Sequence, residues 1–162
     1  MTESNAAELH PRCRAMNALL ESAGVPGRVR ILPEPAPTAQ AAADQIGCEV
    51  GAIANSLIFT TDDNTPLLIM TSGAHRVDAG RVSAAIGVGF RRASAEFVRE
   101  HTGQPIGGVA PLGHPSPIRT IIDRDLAAHD ELWAAGGIPH AVFPLTYTEL
   151  VRLTNGTELD VA

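Results

Sequence analysis

The sequence contains no lysine: its twelve strongly basic residues are all arginine. That excludes lysine Schiff-base chemistry and a lysine general base. Cysteine is nearly as scarce. Cys13 and Cys48 are far apart and lack metal-site spacing, so they read as a surface thiol and a small core residue. No apolar run approaches the roughly 18 residues that a membrane span needs. The N-terminal segment lacks a signal-peptide pattern, so a cytoplasmic location is expected. No Gly-x-Gly-x-x-Gly or Walker sequence occurs, which removes local support for a nucleotide cofactor. The Gly-x-Ser-x-Gly elbow of serine hydrolases is missing too. The net charge of −6 argues against a broad nucleic-acid-coating surface and against DNA as a partner. A small contact with an RNA end remains compatible with it.

What is there suits one domain spanning residues 1–162, with an N-terminal helix in 1–24 and a core in 25–161. Residues 6–24 carry a loose apolar stripe through Leu9, Met16, Leu19, Leu20 and Ala23, ended by Gly24. Arg28–Leu32 reads as a short strand and is followed by a stiff connector at Pro33, Pro35 and Pro37. Thr38 caps a helix over Ala39–Ile46 that Gly47 stops. Strands over 52–60 and Pro66–Thr71 form a hairpin around Thr61–Asn64. Asp78 caps a helix to Ile86, Val88–Arg91 is extended, and Ser94 caps a helix to His101. Arg119–Asp123 is a strand, and Asp123–Ala128 a turn or helical stub. Glu131–Trp133 and Ile138–Phe143 flank Gly136-Gly137 as a hairpin. Thr146 and Glu149 make a capping box for a helix to Leu153, and Glu158–Val161 is a last strand. Short strands mixed irregularly with helices give an α+β class with a largely antiparallel or mixed sheet.

The chemistry-bearing candidates are few. Ile106–His114 packs three glycines, a proline (Pro111) and a histidine into nine residues. Such a segment suits either a structural loop or a set of backbone N–H groups offered to an anion or a carbonyl oxygen, with His114 beside them. Asn55 and Ser56 interrupt an apolar strand, and alternation sends one to each face. They suit either a satisfied buried amide or an open cavity. The six histidines show no i,i+4 pair or ligand cluster, so no metal is expected. His75 lies in a turn open to either a surface or a site role. His140 falls in a predicted strand, where its face decides its role. Arg76, Arg81, Arg91, Arg92 and Arg99 lie close together in sequence and suit either solvated charge or a phosphate patch.

Four ordered motifs carry a resemblance. They are Ile53-Ala54-Asn55-Ser56-Leu57-Ile58-Phe59, Gly73-Ala74-His75-Arg76-Val77-Asp78, Gly107-Gly108-Val109-Ala110-Pro111-Leu112-Gly113-His114, and Gly136-Gly137-Ile138-Pro139-His140-Ala141-Val142-Phe143. With the closing helix Thr146–Leu153 they resemble the YbaK/prolyl-tRNA-synthetase-associated editing domain family over residues 25–161. The resemblance implies a curved, barrel-like mixed sheet surrounded by helices. It implies hydrolysis in trans of the ester joining a wrong small amino acid to the tRNA 3′ end, without a cofactor. A non-catalytic member binding tRNA ends, an aminoacyl-adenosine-like ligand or a protein partner is the alternative. A different small-ester hydrolase is a third reading, and a homodimer is compatible with the sequence. Carried over, Gly107, Gly108, Val109 and His114 fall in catalytic roles. Asn55, Ser56, His75, Arg76, Pro111, Gly136, Gly137 and His140 fall at the substrate. Many members have a lysine where this chain has Asn55, and the resemblance suggests His114 and Arg76 as partial substitutes. Relatives also often have a serine where this chain has Ala135.

Overall fold

In a computed structural model, residues 9–162 are described. Helix α1 spans Pro11–Ser22; the part of the expected helix before residue 9 lies outside the described residues. Proline tolerates the first helical position because its missing N–H would be unpaired there. His10 Nδ1 accepts the Arg12 N–H at 3.0 Å. The spacing of Cys13, Met16 and Leu20 buries one stripe of α1.

The first strand, β1, shrinks to Arg30–Ile31. Helix α2, Ala39–Ile46, has Thr38 as its cap and Gly47 in the left-handed region as its stop. Strands β2 (Ile53–Thr61) and β3 (Pro66–Ser72) form the expected hairpin. Helix α3 (Ala79–Ile86), strand β4 (Phe90–Arg92) and helix α4 (Ala95–Thr102) follow. Then come β5 (Arg119–Asp123), a 3-10 turn over Arg124–Ala128, β6 (Leu132–Ala135) and β7 (Ala141–Leu145). Helix α5 (Tyr147–Thr154) starts with the capping box of Thr146 and Glu149, and β8 is Thr157–Leu159. The β6–β7 hairpin closes through a five-residue loop rather than a two-residue turn, so His140 leaves the expected strand. It sits in that loop with φ +58°.

The eight strands form one mixed sheet in the order β1-β7-β6-β2-β3-β5-β8, with β4 added on β2. The sheet is open, with β1 and β8 at its ends, and does not close into a barrel. Period-two alternation divides its side chains between two faces. Leu68, Met70 and Ile122 join Phe143, Leu132 and the apolar stripes of α1 and α5 on one face. Leu67, Ile69 and Ile121 pack with Val82 of α3 on the other. That second face carries a separate cluster under α2, with Ile53, Trp133 and Val142. Along β2 the residues between the two second-face clusters are Asn55 and Leu57, and neither belongs to a core cluster.

The glycine-rich segment crosses beside this gap and is held from within. Gly108 N–H donates to the Pro105 carbonyl at 3.0 Å, and Ala110 N–H to Gln104 Oε1 at 2.6 Å. His114 Nε2–H donates to the Ala110 carbonyl at 2.8 Å, and burial pushes the imidazole below its ordinary value despite that bond. Gly108 lies against the backbone of the β6–β7 loop: a Cβ there would stand 2.5 Å from the Ile138 carbonyl carbon. Gly107, at φ +88°, has open space where its Cβ would be.

These contacts give two predictions. Gly107→Ala should lose about 1–2 kcal/mol through backbone strain alone. Gly108→Ala, which forces two backbones apart, should lose more and shift the resonances of Ile138 and Pro139; equal losses in chemical denaturation would contradict this packing. For His114, the unfolded imidazole takes up a proton at higher pH than the folded one. Stability should therefore be full above pH 6.5 and fall as pH drops through the lowered folded value. Denaturation midpoints for the wild type and His114→Gln between pH 5 and 8 should show this slope in the wild type and a shallower one in the variant.

Candidate functional site

The uncovered stretch of β2 floors a cleft of about 900 Å³. Its walls come from α2 and the connector before it, from Trp133–Ala135 of β6 and its loop, and from Val98, Ile106, Gly107 and Val109. Arg76, Arg92 and His140 also line it. The opening exists because the two second-face clusters do not meet over β2.

Asn55 sits half-buried on this floor, and its amide has no hydrogen-bond partner among the described residues. The cross-strand partner of Asn55 is Thr71, whose hydroxyl donates to Asp123 Oδ2 at 3.4 Å. Asp123 is fully buried and its carboxylate accepts from four donors. Oδ2 also accepts from Ser72 N–H at 2.9 Å and from His75 Nδ1 at 2.8 Å, and Oδ1 accepts from Asp125 N–H at 3.0 Å. His75 Nε2 reaches Asp125 at 3.3 Å. His75, Asp123 and Asp125 thus converge closely enough to suggest a metal centre. The lone pairs of Asp123 are spent on four donors, however, which leaves little for a cation. The group instead clamps the turn that carries Arg76 onto the end of β5.

The expected site residues therefore separate. Asn55, Ser56, Arg76, Gly107, Val109 and His140 line one cleft. Gly108 does not line it, because the close approach to Ile138 turns it into a packing residue. His114 and Pro111 are absent from the lining. The His114 ring bonds the Ala110 carbonyl within the glycine-rich segment. His75 acts behind Arg76. Gly136 packs on Val29, and Gly137 lines a separate, smaller cavity of about 240 Å³ beside α1.

The alternation along the glycine-rich segment has a chemical result. Gly108 and Ala110 spend their N–H groups internally. The N–H groups of Gly107 and Val109, both lining residues, have no partner among the described residues. Val109 is buried, so its amide is a donor held ready for a ligand acceptor, while Gly107 is exposed and its N–H opens to the cleft. Arg76 and Arg92 are exposed and make no ion pair among the described residues, so both guanidinium groups are available to an anion. Among the described residues no carboxylate lines the cleft, and His140 is the one imidazole that does. Sequence reasoning did not single out Arg92 for the cleft, nor Trp133 or the α2 wall. Arg92 was visible only as one of a group of arginines, and the register opposite Phe59 brings it to the floor's face.

The profile of the aminoacyl-tRNA editing domain matches residues 33–153. The uncharacterized protein YwhH of Bacillus subtilis (strain 168) is 31% identical over 113 residues, covering 70% of this chain and 72% of YwhH. The proline–tRNA ligase of Delftia acidovorans is 27% identical over 110 residues, covering 61% of this chain and 19% of that much longer protein. A crystal structure of a candidate trans-editing enzyme for prolyl tRNA synthetase superposes with a TM-score of 0.88 at 39% identity, covering 95% of this chain and 98% of that one. The hypothetical protein APE2540 superposes with a TM-score of 0.81 at 28% identity, covering 89% of this chain and 96% of its own. Because the profile spans residues 33–153, about three-quarters of the chain, the protein belongs to the aminoacyl-tRNA editing domain family.

Proposed function

We propose that this protein is a trans-acting aminoacyl-tRNA deacylase, working in the cytoplasm on a small amino acid wrongly esterified to a tRNA 3′ end. The observation that carries the reading is one cleft holding two unpaired backbone N–H groups, an unpaired amide and two unpaired arginines. An aminoacyl-tRNA end needs that combination: donors for the acyl carbonyl, a neutral polar floor, and cations for the terminal phosphates. Two relatives are proline–tRNA ligases, and one solved relative is described as serving prolyl tRNA synthetase, which supports tRNA for proline as the carrier.

In this mechanism a water attacks the acyl carbonyl carbon and the carbonyl oxygen takes the developing charge. The N–H groups of Gly107 and Val109 stabilise that charge, each worth roughly 3–4 kcal/mol of barrier. The C–O bond to the ribose breaks, the ribose oxygen takes a proton, and the free amino acid leaves. Among the described residues the cleft offers no carboxylate to activate the water, and the sequence holds no lysine, so the neighbouring ribose hydroxyl of the substrate orients it. Asn55 both donates and accepts, and so bridges that hydroxyl and the water where many relatives use a lysine.

The absence of a cation on the floor favours one second reading, a member that binds aminoacyl-tRNA ends without cleaving them. The two separate in a screen of tRNA for proline charged with alanine, serine, threonine, cysteine or proline. Release of at least one small amino acid faster than the buffer rate is expected; binding of every species without release assigns the protein to the second reading. Asn55→Ala should lower kcat roughly a hundredfold or more with a smaller change in KM. Arg76→Gln and Arg92→Gln should each raise KM. Each should also flatten the salt dependence of binding by about 0.7 in the log–log slope. A salt slope unchanged in both arginine variants would remove them from the phosphate contacts.

A further inference from the structure

The outer edge of β2 is interrupted, and the interruption lies in the cleft. β2 pairs with β3 along nearly its whole length, from Ala54–Ser72 to Thr60–Pro66. On its other edge, β6 pairs only with Ile53 and Ala54, and β4 only from Phe59 onward. The direction of each backbone group follows from the bonds at the ends. The Ile53 carbonyl accepts from Gly73 N–H, and Thr61 N–H donates to the Thr65 carbonyl, so the odd-numbered residues of β2 address β3. Asp62 N–H donates to the Gly89 carbonyl, on the β4 side, so the even-numbered residues address the other edge. Ser56 is even-numbered and falls between the last rung to β6 and the first rung to β4. The β6 ladder stops at Ala54 and the β4 ladder starts at Phe59, so no rung of either reaches the outward N–H and C=O of Ser56, and the residue lines the cleft. Its hydroxyl is turned to Met70 Sδ at 3.2 Å, on the core side, which leaves the backbone as the part of Ser56 that meets the cleft.

We propose that the aminoacyl group of the substrate fills this missing rung, pairing with the Ser56 backbone as one residue of an antiparallel strand would. An α-aminoacyl ester carries its amino nitrogen and its carbonyl oxygen on either side of one carbon, as a strand residue does. In a hydrogen-bonded antiparallel pair each residue presents both groups to its partner. The α-ammonium donates to the Ser56 carbonyl, and the Ser56 N–H donates to the acyl carbonyl. The acyl oxygen accepts from Ser56 in the bound ester and gains the Gly107 and Val109 donors as its charge develops. An unpaired strand edge is a ready template for such an addition. Recognition is then by backbone, so it selects an α-amino acyl group as a class, and the walls of the cleft are left to select its side chain. The inference rests on the aminoacyl-tRNA reading above and adds the group that holds the amino acid.

The test needs no variant. Amide resonances of the wild-type protein are followed with 3′-alanylamino-3′-deoxyadenosine, a non-hydrolysable amide analogue, and with its propionyl counterpart, which lacks the amino group. The alanyl analogue should shift the Ser56 amide and slow its exchange with solvent. The propionyl analogue should bind at least tenfold more weakly. If Gly107, Val109 and Asn55 respond while Ser56 does not, or if both analogues bind equally, the rung is overturned and the editing cleft stands. If neither analogue perturbs any residue lining the cleft, the rung and the aminoacyl-tRNA reading both fail.

Discussion

Everything distinctive about this protein depends on incomplete pairing along β2. One edge of this central strand is fully satisfied by β3, while the other is held only at its two ends, by β6 and by β4. The apolar layers follow the same division. The cluster under α2 and the cluster under α3 each cover one end of the strand's second face and leave Asn55 and Leu57 between them. A sheet interior normally spends every backbone group and buries every face. A strand that leaves a stretch of both unsatisfied in the middle of a sheet makes a cleft with a polar floor, framed by rigid elements on each side. The glycine-rich segment closes one wall, and its internal bonds to Pro105, Gln104 and His114 keep it from collapsing into the gap.

Much of the architecture was legible in the sequence because local chemistry determines it. Thr38, Asp78, Ser94 and Thr146 all accept the N–H bonds expected of caps. Gly47, Gly87 and Gly103 all end helices in the left-handed region. Asn55 stood out as a polar residue in an apolar strand, and its exposure to the cleft follows from the same alternation. What was not legible depends on contacts between distant segments. Nothing local tells Gly107 from Gly108; the distinction comes from the approach of Ile138, thirty residues on. His114 looked like a site histidine beside a glycine-rich loop. The fold instead turns its ring onto the carbonyl of Ala110, four residues back. The pairing of His75 with Asp123 needs the parallel β3–β5 register, which no spacing along the chain announces.

The absence of lysine shapes the chemistry. In the proposed deacylation, a floor without a cation leaves a developing oxyanion to dipoles fixed in advance: the amides of Gly107 and Val109, the strand edge at Ser56 and the Asn55 side chain. Preorganised dipoles act strongly because they need no reorganisation as charge develops. The cations lie elsewhere, on Arg76 and Arg92, where they suit phosphates rather than the reacting carbonyl. The clamp of His75 and Asp123 fixes the turn bearing Arg76 and so belongs to the site without touching it.

The account is tested most directly by a crystal structure of the protein with a non-hydrolysable 3′-aminoacylamino analogue of the cytidyl-adenosine tRNA end. It predicts the acyl group in the gap between β6 and β4, its carbonyl oxygen within hydrogen-bond distance of Gly107 or Val109 N–H, and the phosphate toward Arg76 and Arg92. An analogue seated in the smaller cavity beside α1, or anywhere that leaves Asn55 and the glycine-rich wall uncontacted, would contradict it.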